Sequence, residues 1–351
     1  MQALIRRAPR HSMLGILTLT LAVMPTAAYA GGKDRNGVEG QANGSSNGQN
    51  VAAEVRVSGV QTTVNGGSGG GKTRSLTPSD SNWTPPACWY EPVISPKELK
   101  ETIETLEKDK PIFGLGGFGQ MFAGLYKLIY QTDKYDDYNM AKQGKGMFWG
   151  AVINPARKDD PEAMSCDRLP FWVDDDKTPD VPLAVSPKIL AEYAYDELPI
   201  PATDFSMSPD GKQTVNLSTW IWADKARFKP VSVTASLPHT NLSATTTATP
   251  VSLKLEPGTG EANLHPASGE CPINADGSIG SPYSDAKKND TPPCGLTYLR
   301  ASTKSGTYPL KATVTWKISW KSSTGEGGDL PTGTYGRTTA VTVQEIQAVN
   351  R

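Results

Sequence analysis

Tyr308-Pro-Leu-Lys-Ala-Thr-Val-Thr-Trp-Lys-Ile-Ser-Trp320 alternates apolar and polar side chains along its whole length. Side chains of an extended chain point to opposite faces with a period of two. Tyr308, Leu310, Ala312, Val314, Trp316, Ile318 and Trp320 therefore fall on one face, and Pro309, Lys311, Thr313, Thr315, Lys317 and Ser319 on the other. One dry face and one wet face predict a long strand in an antiparallel sheet covered on one side. Weaker strands are expected at 214–222, 230–237, 242–255 and 338–347, separated by Gly, Pro, Asn and Asp turns. That spacing makes residues 204–351 an all-β antiparallel sandwich.

Upstream the period changes. Trp83-Thr-Pro-Pro-Ala-Cys-Trp-Tyr-Glu-Pro92 is a rigid aromatic entry into a second region, 82–203. Ser95-Pro96-Lys97-Glu98 has the form of a capping box with Pro at the first helical position. Leu99, Ile103 and Leu106 follow at helical spacing, so a helix is predicted over 95–108, with Glu98, Glu101, Glu104 and Glu107 on its wet side. A second helix is predicted over 119–131 with Phe122, Leu125 and Ile129 on its core face. The fold class is α+β: a small helix-containing N-terminal domain followed by an all-β sandwich.

Ahead of both regions, residues 1–30 carry Arg6, Arg7 and Arg10, an apolar stretch from Met13 to Val23, and Ala28-Tyr29-Ala30. This is the pattern of a secretory signal peptide with a small-x-small cleavage site. Eleven apolar residues reach about 17 Å as a helix, short of a hydrocarbon core of about 30 Å. Residues 112–130 are apolar too, but Gln120, Lys127 and five glycines favour a buried helix over a membrane span. Leu330-Pro-Thr-Gly-Thr334 misses the sortase order by one position. The expected location is extracellular or associated with the cell wall. Loss of the leader takes the 35 basic residues to 32 against 36 acidic ones, a net charge near −4, which argues against a nucleic-acid partner. Between leader and folded chain, residues 31–81 hold 12 glycines and no aromatic side chain, and read as a largely disordered linker. Within it the valines at 55, 57, 60 and 64 allow one added strand.

Cys88, Cys166, Cys271 and Cys294 all lie in the mature chain, an even number that suggests two disulfides outside the cytosol. Of three possible pairings, Cys88 with Cys166 and Cys271 with Cys294 keep each bridge inside one expected domain. The second would contribute about 3 kcal/mol by closing a polar loop. No C-x-x-C occurs, and the only histidines after the leader are His239 and His265, so no metal site or cofactor is expected.

Residues 248–260, then Leu296-Thr-Tyr298, then Gly306-Thr-Tyr-Pro-Leu-Lys-Ala-Thr-Val-Thr-Trp316 resemble a degenerate PKD domain, an immunoglobulin-like sandwich of secreted and surface proteins. Gly306-Thr307-Tyr308 and Tyr298 match the family pattern. Glu256-Pro-Gly-Thr-Gly260 keeps its glycines and loses its Asp, and Leu296 stands where His is usual. The resemblance implies a sandwich fold and an adhesive or spacer role. The layout of the whole chain is similar to uncharacterised secreted proteins of Gram-positive bacteria, some of which carry nucleotide-binding labels.

Gly66-Gly-Ser-Gly-Gly-Gly-Lys72-Thr73 satisfies the pattern of a phosphate-binding loop, whose geometry requires a helix after the Thr. Arg74-Ser-Leu-Thr-Pro78 follows instead, so the run reads as a linker. Gly114-Leu-Gly-Gly-Phe-Gly119 spells a dinucleotide fingerprint, but a capped helix precedes it where a strand is needed. Asn274-Ala-Asp-Gly277 and Asp174-Asp-Asp176 read as turns rather than cation sites.

Two functions are compatible with these residues. The first is a noncatalytic binding or structural protein that contacts a surface protein or a cell-wall polysaccharide. Its possible ligand contacts are Trp220 and Trp222 on one strand face and Trp316 and Trp320 on another, since Trp offers a broad apolar face, although core packing explains the same tryptophans. The second is a secreted hydrolase with carboxylate acid and base groups in the N-terminal domain, Glu91, Asp167 or Asp174. No catalytic set stands out, which favours the first.

Overall fold

The alternation at 308–320 becomes the strand Tyr308–Ser322 in the computed structural model, which describes residues 56–66, 73–108, 118–175, 177–224, 228–238, 240–302 and 306–346. This strand pairs antiparallel with Ser243–Glu256 on one side and Gly327–Gln344 on the other. Leu310, Ala312, Val314, Trp316 and Ile318 are buried, while Lys311 and Lys317 are exposed on the opposite face. The sheet continues from Ser243–Glu256 through Val231–Ser236 to an edge strand, Gln61–Gly66. At the far side Lys212–Thr214 runs parallel to Gly327–Gln344.

A second, antiparallel sheet is ordered Ala262–His265, Gly295–Tyr298, Ser218–Ala223 and Ile279–Gly280, with Ser206–Ser208 also against Ser218–Ala223. Its Ile221, Leu296 and Tyr298 share one buried cluster with Leu253, Val314 and Val343 of the larger sheet. The Cys271–Cys294 disulfide joins Glu270–Pro272, a strand of the larger sheet, to the residue just before Gly295–Tyr298. The protein is thus α+β with mostly antiparallel sheets and two disulfides, the other being Cys88–Cys166.

Three α-helices complete the described residues. Helix α1, Pro96–Lys108, begins as its capping box dictates: the Ser95 N–H donates to Glu98 Oε2 at 2.8 Å and the Glu98 N–H to Ser95 Oγ at 3.3 Å. Leu99 and Ile103 are buried beneath it. Helix α2, Phe118–Tyr130, packs Ile129 against the core as expected, but its inward face is centred elsewhere. Ala123 and Tyr130 are buried, Leu125 is half exposed and Leu128 is exposed. The reason is Tyr130, whose ring packs against Tyr135 and Phe148 and sets the helix rotation. The Phe122 side chain lies outside the described residues. Helix α3, Pro187–Asp196, repeats the Ser-Pro start of α1, with Ser186 Oγ accepting from the Ile189 N–H.

Helix α3 lies on the same face of the large sheet that the second sheet covers further along. Thr246 and Ala248 sit opposite Trp320 and Ile318, on the buried side, and Thr246 Oγ1 donates to the Ala191 carbonyl at 2.8 Å. A helix placed ahead of the expected boundary at 203/204 therefore packs on strands behind it. All described residues belong to one compact unit.

The stretch 31–81 contributes several short strands. Arg56–Val57 pairs with Gly146–Ile153, Gln61–Gly66 edges the large sheet, Thr73–Arg74 pairs with Ile200–Pro201 and Thr77–Pro78 with Gly327–Gln344. Thr73 of the phosphate-loop pattern is thus in an extended strand. The leader at 1–30, residues 31–55, the glycine tract at 67–72, most of the dinucleotide-like run and His239 lie outside the described residues. Among the described residues no helix is long and apolar enough to cross a membrane.

Candidate functional site

A smaller sheet, formed by Arg56–Val57, Gly146–Ile153, Cys88–Ile94 and Phe171–Asp174, carries an open cleft of about 610 Å³. Its aromatic floor is made by Tyr135, Phe171 and Trp172, and its rim by Lys134, Lys142 and Arg168. Trp172 is placed by strand pairing opposite Phe148, whose ring meets it edge-on at 5.4 Å. Its indole N–H donates to Asp174 Oδ1 at 2.8 Å, which fixes the ring plane. Gly146 leaves room for that ring: a Cβ there would lie 2.6 Å from Trp172 Cζ2 and 2.3 Å from the Val173 carbonyl oxygen. Tyr135 is held from behind by Tyr130 and Phe148, and the Tyr130 hydroxyl donates to the Pro170 carbonyl at 2.7 Å. The Cys88–Cys166 disulfide ties down the segment that leads to Arg168, whose backbone N–H donates to the Tyr90 hydroxyl at 3.2 Å.

Two of the rim cations lie over floor rings, Lys134 Nζ at 4.9 Å from the centre of Tyr135 and Lys142 Nζ at 5.7 Å from that of Trp172, within the range of a cation–π attraction. No carboxylate occurs among the described lining residues. Of the acids near it, Asp174 accepts from the floor indole and Asp137 pairs with Lys100 at 3.0 Å.

One wall is backbone under strain. Asp137, Tyr138 and Asn139 are successive non-glycine residues with φ of 41°, 60° and 60°. The left-handed region costs an L-residue roughly 1–2 kcal/mol, and such residues collect at functional sites. Asn139 is only 5% exposed and lines the cleft, yet its Nδ2 has no hydrogen-bond partner. A buried amide left in that state is costly by about 1–3 kcal/mol.

The tryptophans singled out in the sequence stand differently. Trp316 is fully buried, with Phe228 tilted against it. Trp220 is buried, its ring covered by Lys287 and flanked by Tyr283. Trp222, on the same strand, is partly exposed. Trp320 is nearly buried in the wall of a shallow groove of about 590 Å³ at the 322–327 hairpin, beside Lys321, Glu326 and Asp329.

The candidate carboxylates are also separated in role. Glu91 is 2% exposed and accepts from the Trp89 indole at 2.7 Å, from Ser58 Oγ at 2.8 Å and from the Gly59 N–H at 2.7 Å. Burial still pushes its carboxyl above the usual range. These bonds pin residues 58–60, the link between the Arg56–Val57 and Gln61–Gly66 strands. Asp167 is exposed beside the disulfide, and Asp174 orients the cleft tryptophan. Burial also raises three acids on or next to α3, Glu192, Glu197 and Asp196, the last to about 6.

Sequence reasoning passed over the cleft residues. The available signal was local: Lys134-Tyr135 and Arg168-Leu-Pro-Phe-Trp172 each set a cation beside aromatics. Nothing in the order of residues says that the two segments meet. No protein-family model, curated protein or solved structure matches this chain.

Proposed function

We propose that this is a secreted, noncatalytic binding protein that contacts a cell-wall polysaccharide through the cleft floored by Trp172 and Tyr135. The observation that carries this reading is the lining itself: aromatic faces and three cations, with no carboxylate among the described lining residues. Such groups hold a polar ligand with flat apolar faces. A glycosidase needs two carboxyl groups facing across the bound sugar, whereas Glu91 is enclosed by its own donors. In this reading the two sheets of the C-terminal half act as a PKD-like, immunoglobulin-type spacer, a role supported by Gly306-Thr307-Tyr308 and by Tyr298 stacked on Tyr308 at 5.4 Å. The two disulfides support work in an oxidising compartment, and the pattern of residues 1–30 supports export.

The test is a pull-down of insoluble wall fractions run beside a hydrolysis screen on the same material. Capture without product is expected, with capture reduced at least fivefold by Trp172→Ala. Reproducible product that disappears on substitution of one carboxylate would instead make the chain a hydrolase.

A further inference from the structure

Resting on that binding role, we infer that the cleft takes a carboxylate-bearing sugar, a uronate unit of an acidic polysaccharide. Its ring lies on Trp172 and Tyr135, and its carboxylate is met by Lys142, Lys134 and Arg168. The inference begins with the lining. Tyr135, Phe171 and Trp172 lie beside Lys134, Lys142 and Arg168, and no carboxylate occurs among the described lining residues.

The floor determines the shape of the ligand. The Trp172 indole N–H is already occupied by Asp174, so the ring offers its face rather than its donor. The C–H face of a pyranose fits such a surface. The rim determines the charge. Lys134 and Lys142 rest over the very ring faces that a sugar would cover. A ring stacked there displaces both ammonium groups, and a carboxylate on that ring gives them a stronger partner at the cleft edge. A neutral sugar removes the cation–π contacts and replaces them with nothing. A polyol phosphate brings charge but no flat face. Only a charged ring uses floor and rim together.

Calorimetric titration of the full chain with three probes tests this: an oligogalacturonate, the same oligomer with its carboxyl groups reduced to alcohols, and a poly(glycerol phosphate). Expected are binding of the uronate, at least tenfold weaker binding of the reduced oligomer and of the phosphate polymer, and weakening of uronate binding by added salt. Lys142→Met and Arg168→Gln, both at exposed positions, should each weaken uronate binding about threefold and so narrow the preference for the uronate over the reduced oligomer. Equal affinity for the charged and reduced oligomers, or a phosphate polymer that binds as well as the uronate, would overturn the inference. If none of the three binds while wall fractions are still captured, the uronate assignment fails and the binding role stands. If capture fails as well, both fall.

Discussion

Asp196 shows how one side chain ties the fold to pH. Burial holds its carboxyl at about 6, against an ordinary 3.8, despite the amide of Asn154 donating to Oδ2 at 3.2 Å and the nearby charge of Arg157. Glu192 and Glu197 add to the upward push. Between those two pH values the folded chain binds this proton more readily than the unfolded one. The resulting stabilisation, on the order of 2–3 kcal/mol, is complete below about pH 4 and is lost as pH rises through 6. His265, lowered by burial, acts in the opposite sense below its ordinary 6.5. Asp196→Asn keeps an acceptor for Asn154 and removes the titration. The variant should melt a few degrees higher than the parent at pH 7.5 and show a flatter melting curve against pH between 4.5 and 7.5. Parallel profiles for the two proteins would mean that Asp196 is not held up. None of this was visible in the sequence, where Asp196 is one acid among 36; its partner Asn154 is distant in the chain and also donates to the Pro86 carbonyl.

Elements were legible in proportion to how local their causes are. The Ser95/Glu98 capping box and the alternation at 308–320 are written into neighbouring residues, and both elements form where those residues put them. The inward face of α2 was placed in part, with Ile129 on the core and Leu125 half exposed, because its centre is decided by Tyr130 meeting Tyr135 and Phe148, contacts that helical spacing does not encode. The cleft was hidden for the same reason, since the 134–142 and 168–172 segments meet through tertiary contacts, Lys142 over Trp172 and Phe148 against both Tyr135 and Trp172. The Cys88–Cys166 bridge steadies one wall of the cleft. Replacing both cysteines, Cys88→Ala with Cys166→Ala, should cost about 4 kcal/mol of stability, since it opens the larger of the two loops. It should also weaken capture of wall material more than Cys271→Ala with Cys294→Ala does. Denaturant midpoints and the pull-down, measured on both double variants, give the comparison; equal loss of capture from the two bridges would show that the wall is held by packing alone.

At the scale of the whole molecule, α3 is the element that the expected division at 203/204 separates from its support. Leu190, Ala191 and Ala194 are buried, in one cluster with Val233, Ala235, Ala244 and Ala248. A fragment of residues 204–351 would leave that surface bare, a loss of roughly 5 kcal/mol on the scale of a few buried apolar side chains. It should bind a hydrophobic dye and melt broadly, whereas a fragment begun at residue 186 should melt more sharply; identical melting of the two would show the helix to be dispensable. The edge strand Gln61–Gly66 carries a further consequence, one of timing. Its partner, Val231–Ser236, is made long after it, and Thr77–Pro78 waits longer still for Gly327–Gln344. A ribosome that stalls midway therefore leaves behind orphaned strands with open edges rather than a finished smaller protein, and such edges invite aggregation. Completion of the last hairpin is what closes the molecule.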